Sequence, residues 1–340
     1  MNKHIFVSVL VFAAVVLSAV TSCTKDSKNI KDQKVAVLLP DDAIVNRWAL
    51  DKKNLEAVMG KYGFNATFYT APETEEGAAK QVEQMKTAIE GGAKYLVVTA
   101  IDHKKINESG LLAKNPDVKV VCHDRLILDN PNIAYISSAD TKEIGHVQAL
   151  YLLNHFHSSG ASSMTIEILA GPDTDINAKD YYDGAMALLK SYIDDGDLVI
   201  KSGKKDYAQV KADSWTIADG KRAMKNRLAT YDLGDCPDMI LAANDNLAQG
   251  AIEALEEAGF IDMPIITGQD NTVMAQNNIK LLRQAMTIDK NLTDMAYNTA
   301  MIINCLMAGA PVQSSHSISA GSVSIPVFYS KNALITIDSL

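Results

Sequence analysis

His123-Asp124-Arg125 sets an anion and a cation side by side, and Arg47-Trp48, Asp173-Thr-Asp175-Ile-Asn177, Asn244-Asp245-Asn246, Gln269-Asp270 and Asp289-Lys290 repeat the theme. Carboxylates and amide oxygens accept hydrogen bonds, a guanidinium donates in a fork, and an ammonium donates three ways. A molecule covered in hydroxyls needs that mixture, because each hydroxyl both donates and accepts. Trp48 and Trp215 are the only two tryptophans, and an indole face can cover the apolar C–H face of a sugar ring. Each could equally be a packing residue, one at a helix start and the other in a core. Asp173, Asp175 and Asn177 begin like a calcium loop, but Ala178 stands where the loop needs glycine and Gly184 where it needs glutamate, which excludes calcium there.

These stretches lie where strands end. Val35 to Leu39 is a continuous apolar run bounded by Pro40 and Asp41, as expected of a strand covered on both faces. Leu55, Val58, Met59 and Tyr62 then fall at helical spacing and Gly63 closes the helix. The cycle repeats, with strands expected at 66–69, 95–99, 118–122 and 133–136, then at 164–169, 198–201, 239–243 and 264–267. Helical patterns lie between them, among them 141–155, 178–193, 216–228 and 247–258. Such alternation predicts parallel sheets covered by helices on both faces, with right-handed crossovers. In open sheets of this kind ligands sit beyond the carboxyl ends of the strands, where strand order reverses. Asp and Asn after a strand also serve as helix N-caps, and Asp245 and Asp270 fit that role too. Their recurrence at so many strand ends favours a ligand.

Length and composition agree. The 340 residues exceed the roughly 250 to 300 at which one core stops growing, so two lobes are expected. Hydrophobic content of 47% with 21% charged residues is that of a folded chain. Lys plus Arg number 32 against 41 for Asp plus Glu, a net charge of −9 that argues against a nucleic-acid partner. Lys3 and the uncharged run Ile5 to Val20 read as a secretory signal. The following Val20-Thr-Ser-Cys23 resembles the bacterial lipobox. Residues 1–22 are therefore expected to be a lipoprotein signal peptide, Cys23 the lipidation site, and 23–34 a polar tether. Cys122, Cys236 and Cys305 imply no disulfide framework, and no metal-ligand spacing is present.

Six stretches in order, Val35-Ala-Val-Leu-Leu-Pro40 with Arg47-Trp48, His123-Asp-Arg125, Gly171 to Lys179, Ala243-Asn-Asp245, Gly268-Gln-Asp270 and Thr287-Ile-Asp-Lys290, resemble the sugar-binding receptors of bacterial ABC transporters. The likeness is to the xylose-binding and multiple-sugar-binding members of the ribose/galactose group, and spans nearly the whole mature chain. It implies a type I periplasmic-binding-protein fold: two doubly wound α/β lobes with parallel sheets, joined by a three-crossing hinge, holding one monosaccharide and doing no chemistry on it. It carries ligand contacts over to Arg47, Asp124, Arg125, Asn177, Asp245, Asp270 and Lys290, with Trp48 and Trp215 as candidate stacking residues. Two departures, Ala100-Ile-Asp-His103 after the third strand and His123 where the family has tyrosine, leave the identity of the sugar open.

The expected division is 33–138 with 290–310 in the N-terminal lobe, and 139–289 with 311–340, including Val323 to Phe328, in the C-terminal lobe. The expected function is an extracytoplasmic lipoprotein that captures a pentose or hexose such as xylose, glucose or galactose and delivers it to an ABC permease. A monomer without cofactor is expected, held on the membrane by its lipid in the periplasm or at the cell surface. An enzyme is disfavoured because no phosphate loop, nucleophile elbow or metal motif accompanies the carboxylates. A repressor built on the same body would need an N-terminal helix-turn-helix. A sugar sensor feeding a membrane kinase or chemoreceptor, and a receptor for nucleosides or a furanosyl signal, stay open.

Overall fold

The computed structural model describes residues 33–41 and 47–340. Cys23, the expected lipidation site, lies outside the described residues, as do the expected signal and residues 23–32 of the expected tether; Lys34, placed at the end of that tether, instead opens the first strand.

The first series runs β1 (Lys34–Asp41), α1 (Arg47–Tyr62), β2 (Asn65–Pro72), α2 (Glu75–Glu90), β3 (Tyr95–Val98), α3 (His103–Glu108), β4 (Lys119–His123) and β5 (Ile133–Ala139). The second runs α4 (Thr141–Ser159), β6 (Met164–Leu169), α5 (Ile176–Asp195), β7 (Leu198–Val199), α6 (Tyr207–Val210), α7 (Ile217–Leu228), β8 (Met239–Ala242), α8 (Asp245–Glu257), β9 (Ile265–Ile266), α9 (Val273–Lys280) and β10 (Thr287–Asp289). The chain then adds α10 (Leu292–Met307), β11 (His316–Ala320), β12 (Val323–Ser330) and β13 (Ala333–Ile335).

Two large sheets result, ordered β11-β12-β5-β4-β3-β1-β2 and β7-β6-β8-β9, beside a two-stranded pair β10-β13. All pairings in the two large sheets are parallel except β11 with β12. In the first sheet the chain steps from β1 to β2 and then reverses to β3, and in the second from β6 to β7 and then back to β8. Those reversals place a crevice at the carboxyl ends of β1, β3, β6 and β8.

Both sheets bury two faces, as the apolar runs require. In β1, Val35, Val37 and Leu39 pack with Leu55 and Met59 of α1 and Ala300 and Ile303 of α10, whereas Ala36 and Leu38 pack with Met85 of α2 on the other face. In β8, Met239 and Leu241 face Leu152 of α4 and Leu189 of α5, and Ile240 and Ala242 face Leu247, Ala251 and Leu255 of α8. A strand alternates sides every residue, so a run without polar interruption fits only a sheet covered on both sides.

One expectation is corrected. Val323 to Phe328 does not join the second lobe: β12 pairs in parallel with β5, Val327 beside Ile136, and carries β11 with it. Ile325 and Val327 thereby bury beside Leu126 and Ile127 in the first core, a burial that the spacing of a lone strand cannot assign to either sheet. Only β13 returns to the other side, pairing antiparallel with β10.

The chain thus passes between the lobes three times, near Asp140, Lys290 and Lys331. Those passages are tied together: Ser330 Oγ donates to the Lys290 carbonyl at 2.5 Å, and Asn332 Nδ2 to the Asp140 carbonyl at 3.2 Å. Short adjoining crossings of this sort restrict relative motion to a bend about one axis. Among the described residues no helix is long and apolar enough to cross a membrane.

Candidate functional site

Side chains from both lobes and the hinge meet in the crevice. Arg47 and Trp48 open α1. Arg47 Cζ lies 3.9 Å and Arg125 Cζ 4.9 Å from the Trp48 ring centroid, while the indole N–H donates to Glu73 Oε2 at 2.9 Å. Trp48 therefore stands as a post against which two guanidiniums are aligned.

Asp124 and Arg125 follow β4 in a three-residue turn. Arg125 N–H donates to the His123 carbonyl at 2.8 Å, with Asp124 between them at φ +66°. This backbone region is costly for a residue with a side chain, and the turn is held from several directions. Asp124 N–H donates to Ser137 O at 2.8 Å. Ser138 Oγ at 2.8 Å and Asn177 Nδ2 at 3.1 Å both donate to the Asp124 carbonyl. His123 anchors the strand end, its buried ring bridging Asp51 of α1 at 3.0 Å and Thr299 of α10 at 2.7 Å. Asp270 also has a positive φ, +103°, and its N–H donates to Ile288 O at 2.9 Å.

The charges interlock across the crevice. Arg47 Nη2 is 3.0 Å from Asp124 Oδ1, and Nε is 3.4 Å from Asp270 Oδ1. Lys290 Nζ lies 2.9 Å from Asp270 and 3.7 Å from Asp124. Arg125 bridges Glu73 of its own lobe at 2.6 Å and Asp175 of the other at 2.8 Å. Asp175 also accepts from Trp215 Nε1 at 3.1 Å, and Trp215 packs edge-on to Tyr181, centroids 6.2 Å apart.

Burial alone would push the Asp124 carboxyl up, but Arg47, Lys290 and Arg125 together hold it well below the usual carboxylate range. Burial would likewise weaken the charges on Arg47 and Lys290, and Asp124 and Asp270 reverse that, keeping both cations charged. Burial raises Asp175, against the pull of Arg125.

The ion pairs do not satisfy hydrogen bonding. Arg47 Nε and Nη2, Arg125 Nε, Asp124 Oδ1, Asp270 Oδ1, Asn246 Oδ1 and Gln269 Oε1 are buried without a well-aligned protein partner. Buried polar atoms are nearly always paired; here five of the seven meet only an oppositely charged group in an ion pair, and Asn246 Oδ1 and Gln269 Oε1 meet no partner among the described residues. Between the two lobes these atoms enclose about 30 Å³, room for about two waters. A larger ligand must part the lobes and substitute its own groups for the cross-crevice ion pairs.

Seven of the nine residues expected at a ligand, Arg47, Trp48, Asp124, Arg125, Trp215, Asp270 and Lys290, line this space together with Glu73, Asp175, Tyr181, Asn244, Asn246 and Gln269. The other two stand behind it. Asn177 clamps the Asp124 turn from the opposite lobe. The buried Asp245 side chain accepts from Thr272 N and Oγ1, Gln284 Nε2 and Thr287 Oγ1, holding the Asp270 loop instead of facing the crevice. Glu73, directly after β2, obeys the strand-end rule and was legible from it. Tyr181 sits inside α5 at a spacing that reads as core. Among the described residues no group of His, Cys, Asp and Glu could hold a metal ion.

The periplasmic binding protein domain model matches residues 35–311, which takes in the whole crevice and every strand of the two large sheets except β11 and β12. The chain belongs to that family. The multiple sugar-binding periplasmic receptor ChvE of Rhizobium radiobacter is 31% identical over 280 residues, 81% of this chain and 78% of that one. The D-xylose-binding periplasmic protein of Escherichia coli is 26% identical, covering 89% of this chain and 86% of its own. Among solved structures, an ABC transporter solute-binding protein from Clostridium phytofermentans with bound β-D-glucose superposes with a TM-score of 0.84 at 28% identity, over 90% of this chain and 94% of that one. This periplasmic binding protein is accordingly a non-enzymatic solute receptor.

Proposed function

We propose that this periplasmic binding protein captures one monosaccharide, a pentose or hexose such as xylose, glucose or galactose, between its lobes and delivers it to an ABC permease. The observation that carries the reading is the set of buried donors and acceptors, held only by ion pairs or by nothing, that converge on one space from both lobes and the hinge. A sugar hydroxyl can answer a guanidinium donor and a carboxylate acceptor at once, which few other neutral groups do. A thermal-shift screen over pentoses, hexoses, polyols and nucleosides tests it. At about 100 times the dissociation constant the right sugar stabilises by about 2.7 kcal/mol. A screen in which nucleosides or nothing stabilises the protein contradicts it.

Trp215 is expected to cover the ring face, and Gly171 makes its position possible: a Cβ there would overlap three carbons of the indole. Gly171→Ala is expected to shift the indole and lower sugar affinity by about tenfold or more, the scale of losing one good contact. Titration with the best sugar, alongside near-ultraviolet circular dichroism of the two tryptophans, reads both effects.

Cys23 is proposed to be acylated and to anchor the mature chain in a membrane. Several acyl chains at about 0.8 kcal/mol per buried CH₂ make such anchoring effectively permanent. Wild type is expected in the detergent phase on phase separation and Cys23→Ala in the aqueous phase. Wild type in the aqueous phase contradicts the anchor.

A further inference from the structure

We propose that the receptor also accepts a neutral disaccharide or glycoside, one ring in the inner crevice and the second in an outer chamber of the same cleft. The inference rests on the monosaccharide reading of the inner site. A cavity of about 600 Å³ adjoins the inner space and shares Glu73, Arg125, Asp175 and Trp215 with it. Its floor is apolar, made by buried Ala78, Ile101 and Pro172, and Trp215 borders both compartments. Polar groups, among them Thr74 and Ser214, stand around that floor. An apolar base with polar sides fits a sugar ring, whose C–H face and hydroxyl edge separate in the same way. Unlike the inner space, this chamber is open with the lobes together.

Arg125 stands at the junction. Its buried side chain is held between Glu73, 2.6 Å from Nη1, and Asp175, 2.8 Å from Nε. An oxygen bridging two rings at this point lies beside a guanidinium that both chambers share. Charge restricts what the second unit can be. Beyond the shared residues, Glu75, Asp102 and Asp213 border the chamber; Lys105 pairs with Glu75 at 3.3 Å and Arg222 with Asp213 at 2.7 Å, while Asp102, among the described residues, accepts only from the backbone of the helix it caps. A uronic acid or a sugar phosphate there would meet carboxylates in excess over cations, whereas a neutral ring meets acceptors for its hydroxyls.

Calorimetric titration of the purified protein tests this with the best monosaccharide from the screen, with xylobiose, cellobiose, maltose, lactose and melibiose, and with an aldobiouronic acid. At least one neutral disaccharide is expected within about tenfold of the monosaccharide, and the acidic one at least about tenfold weaker than its neutral counterpart. Thr174 is exposed and borders only the outer chamber. Thr174→Trp should weaken the disaccharide by about tenfold or more while leaving the monosaccharide within about threefold. If the monosaccharide binds but every disaccharide falls more than about tenfold behind it, or Thr174→Trp weakens both alike or neither, the outer chamber is not a subsite. Equal binding of the acidic disaccharide overturns the charge selection. If no sugar of either class binds, the monosaccharide reading itself fails, and this inference with it.

Discussion

Arg125→Ala is expected to weaken sugar binding by about thirtyfold or more, because truncating one partner of a buried charge pair costs about 2 to 5 kcal/mol. Among the described residues Arg125 is the cation that faces Glu73 and Asp175 together, at 2.6 and 2.8 Å, and it joins the two lobes. Without it, closing the cleft brings the two carboxylates together in a buried place with no compensating charge. With the lobes apart water can solvate both, so the cost falls on the closed, ligand-holding state. Calorimetry should show the affinity loss, and circular dichroism a folded variant. Affinity within about threefold of wild type would remove Arg125 from the site.

The second large effect is one of stability. Burial, reinforced by the neighbouring Asp270 carboxylate, pushes Asp245 up to about 7 from an ordinary 3.8, against the donors of Thr272, Gln284 and Thr287. Below the ordinary carboxylate range Asp245 is protonated in both folded and unfolded chains, and its contribution is fully present. Between about 4 and 7 the unfolded chain releases the proton while the folded one keeps it, so stability falls as pH rises. The loss completes near pH 7 and amounts to about 4 kcal/mol, at 1.36 kcal/mol per pH unit. Asp245→Asn removes this dependence while introducing an NH₂ beside hydrogen-bond donors. The variant is expected to be less stable than wild type at pH 4.5 and to lose less between pH 4.5 and 7.5. Urea unfolding of both proteins across that range measures the difference. Parallel pH profiles would show that Asp245 is ionised throughout.

Much of this was readable from the chain. Val35 to Leu39 allowed only a strand covered on both faces, and the residues after such strands had to converge if the sheets were doubly wound. That logic brought Arg47, Asp124, Arg125, Asp270 and Lys290 to one crevice, as the structure does. It failed where residue type and direction part company. Asp245 has the chemistry and the strand-end position, but its carboxylate turns toward Thr272 and Thr287, and no spacing encodes that rotation. Asn177 reaches across to a backbone carbonyl of the other lobe, a contact defined only once the lobes are together. Tyr181 borders the crevice from within a helix whose pattern reads as core. β12 was misplaced for a related reason: its apolar residues fit any parallel edge, and β5 was the edge available.

The most direct test of sugar capture between the lobes is calorimetric titration of wild type and Asp270→Asn with the best sugar from the screen. Asp270 comes from one lobe, faces Arg47 of the other at 3.4 Å and Lys290 of the hinge at 2.9 Å, and holds φ +103°. Asparagine tolerates positive φ better than most residues, so the exchange removes the charge and spares the backbone. Arg47 and Lys290 are then left to share Asp124. Wild type is expected to bind, and Asp270→Asn to bind about ten- to a hundredfold more weakly with its fold retained, the range set by losing a charged hydrogen bond of about 1.5 to 3 kcal/mol. Equal affinities in the two proteins would contradict the account and place the sugar elsewhere.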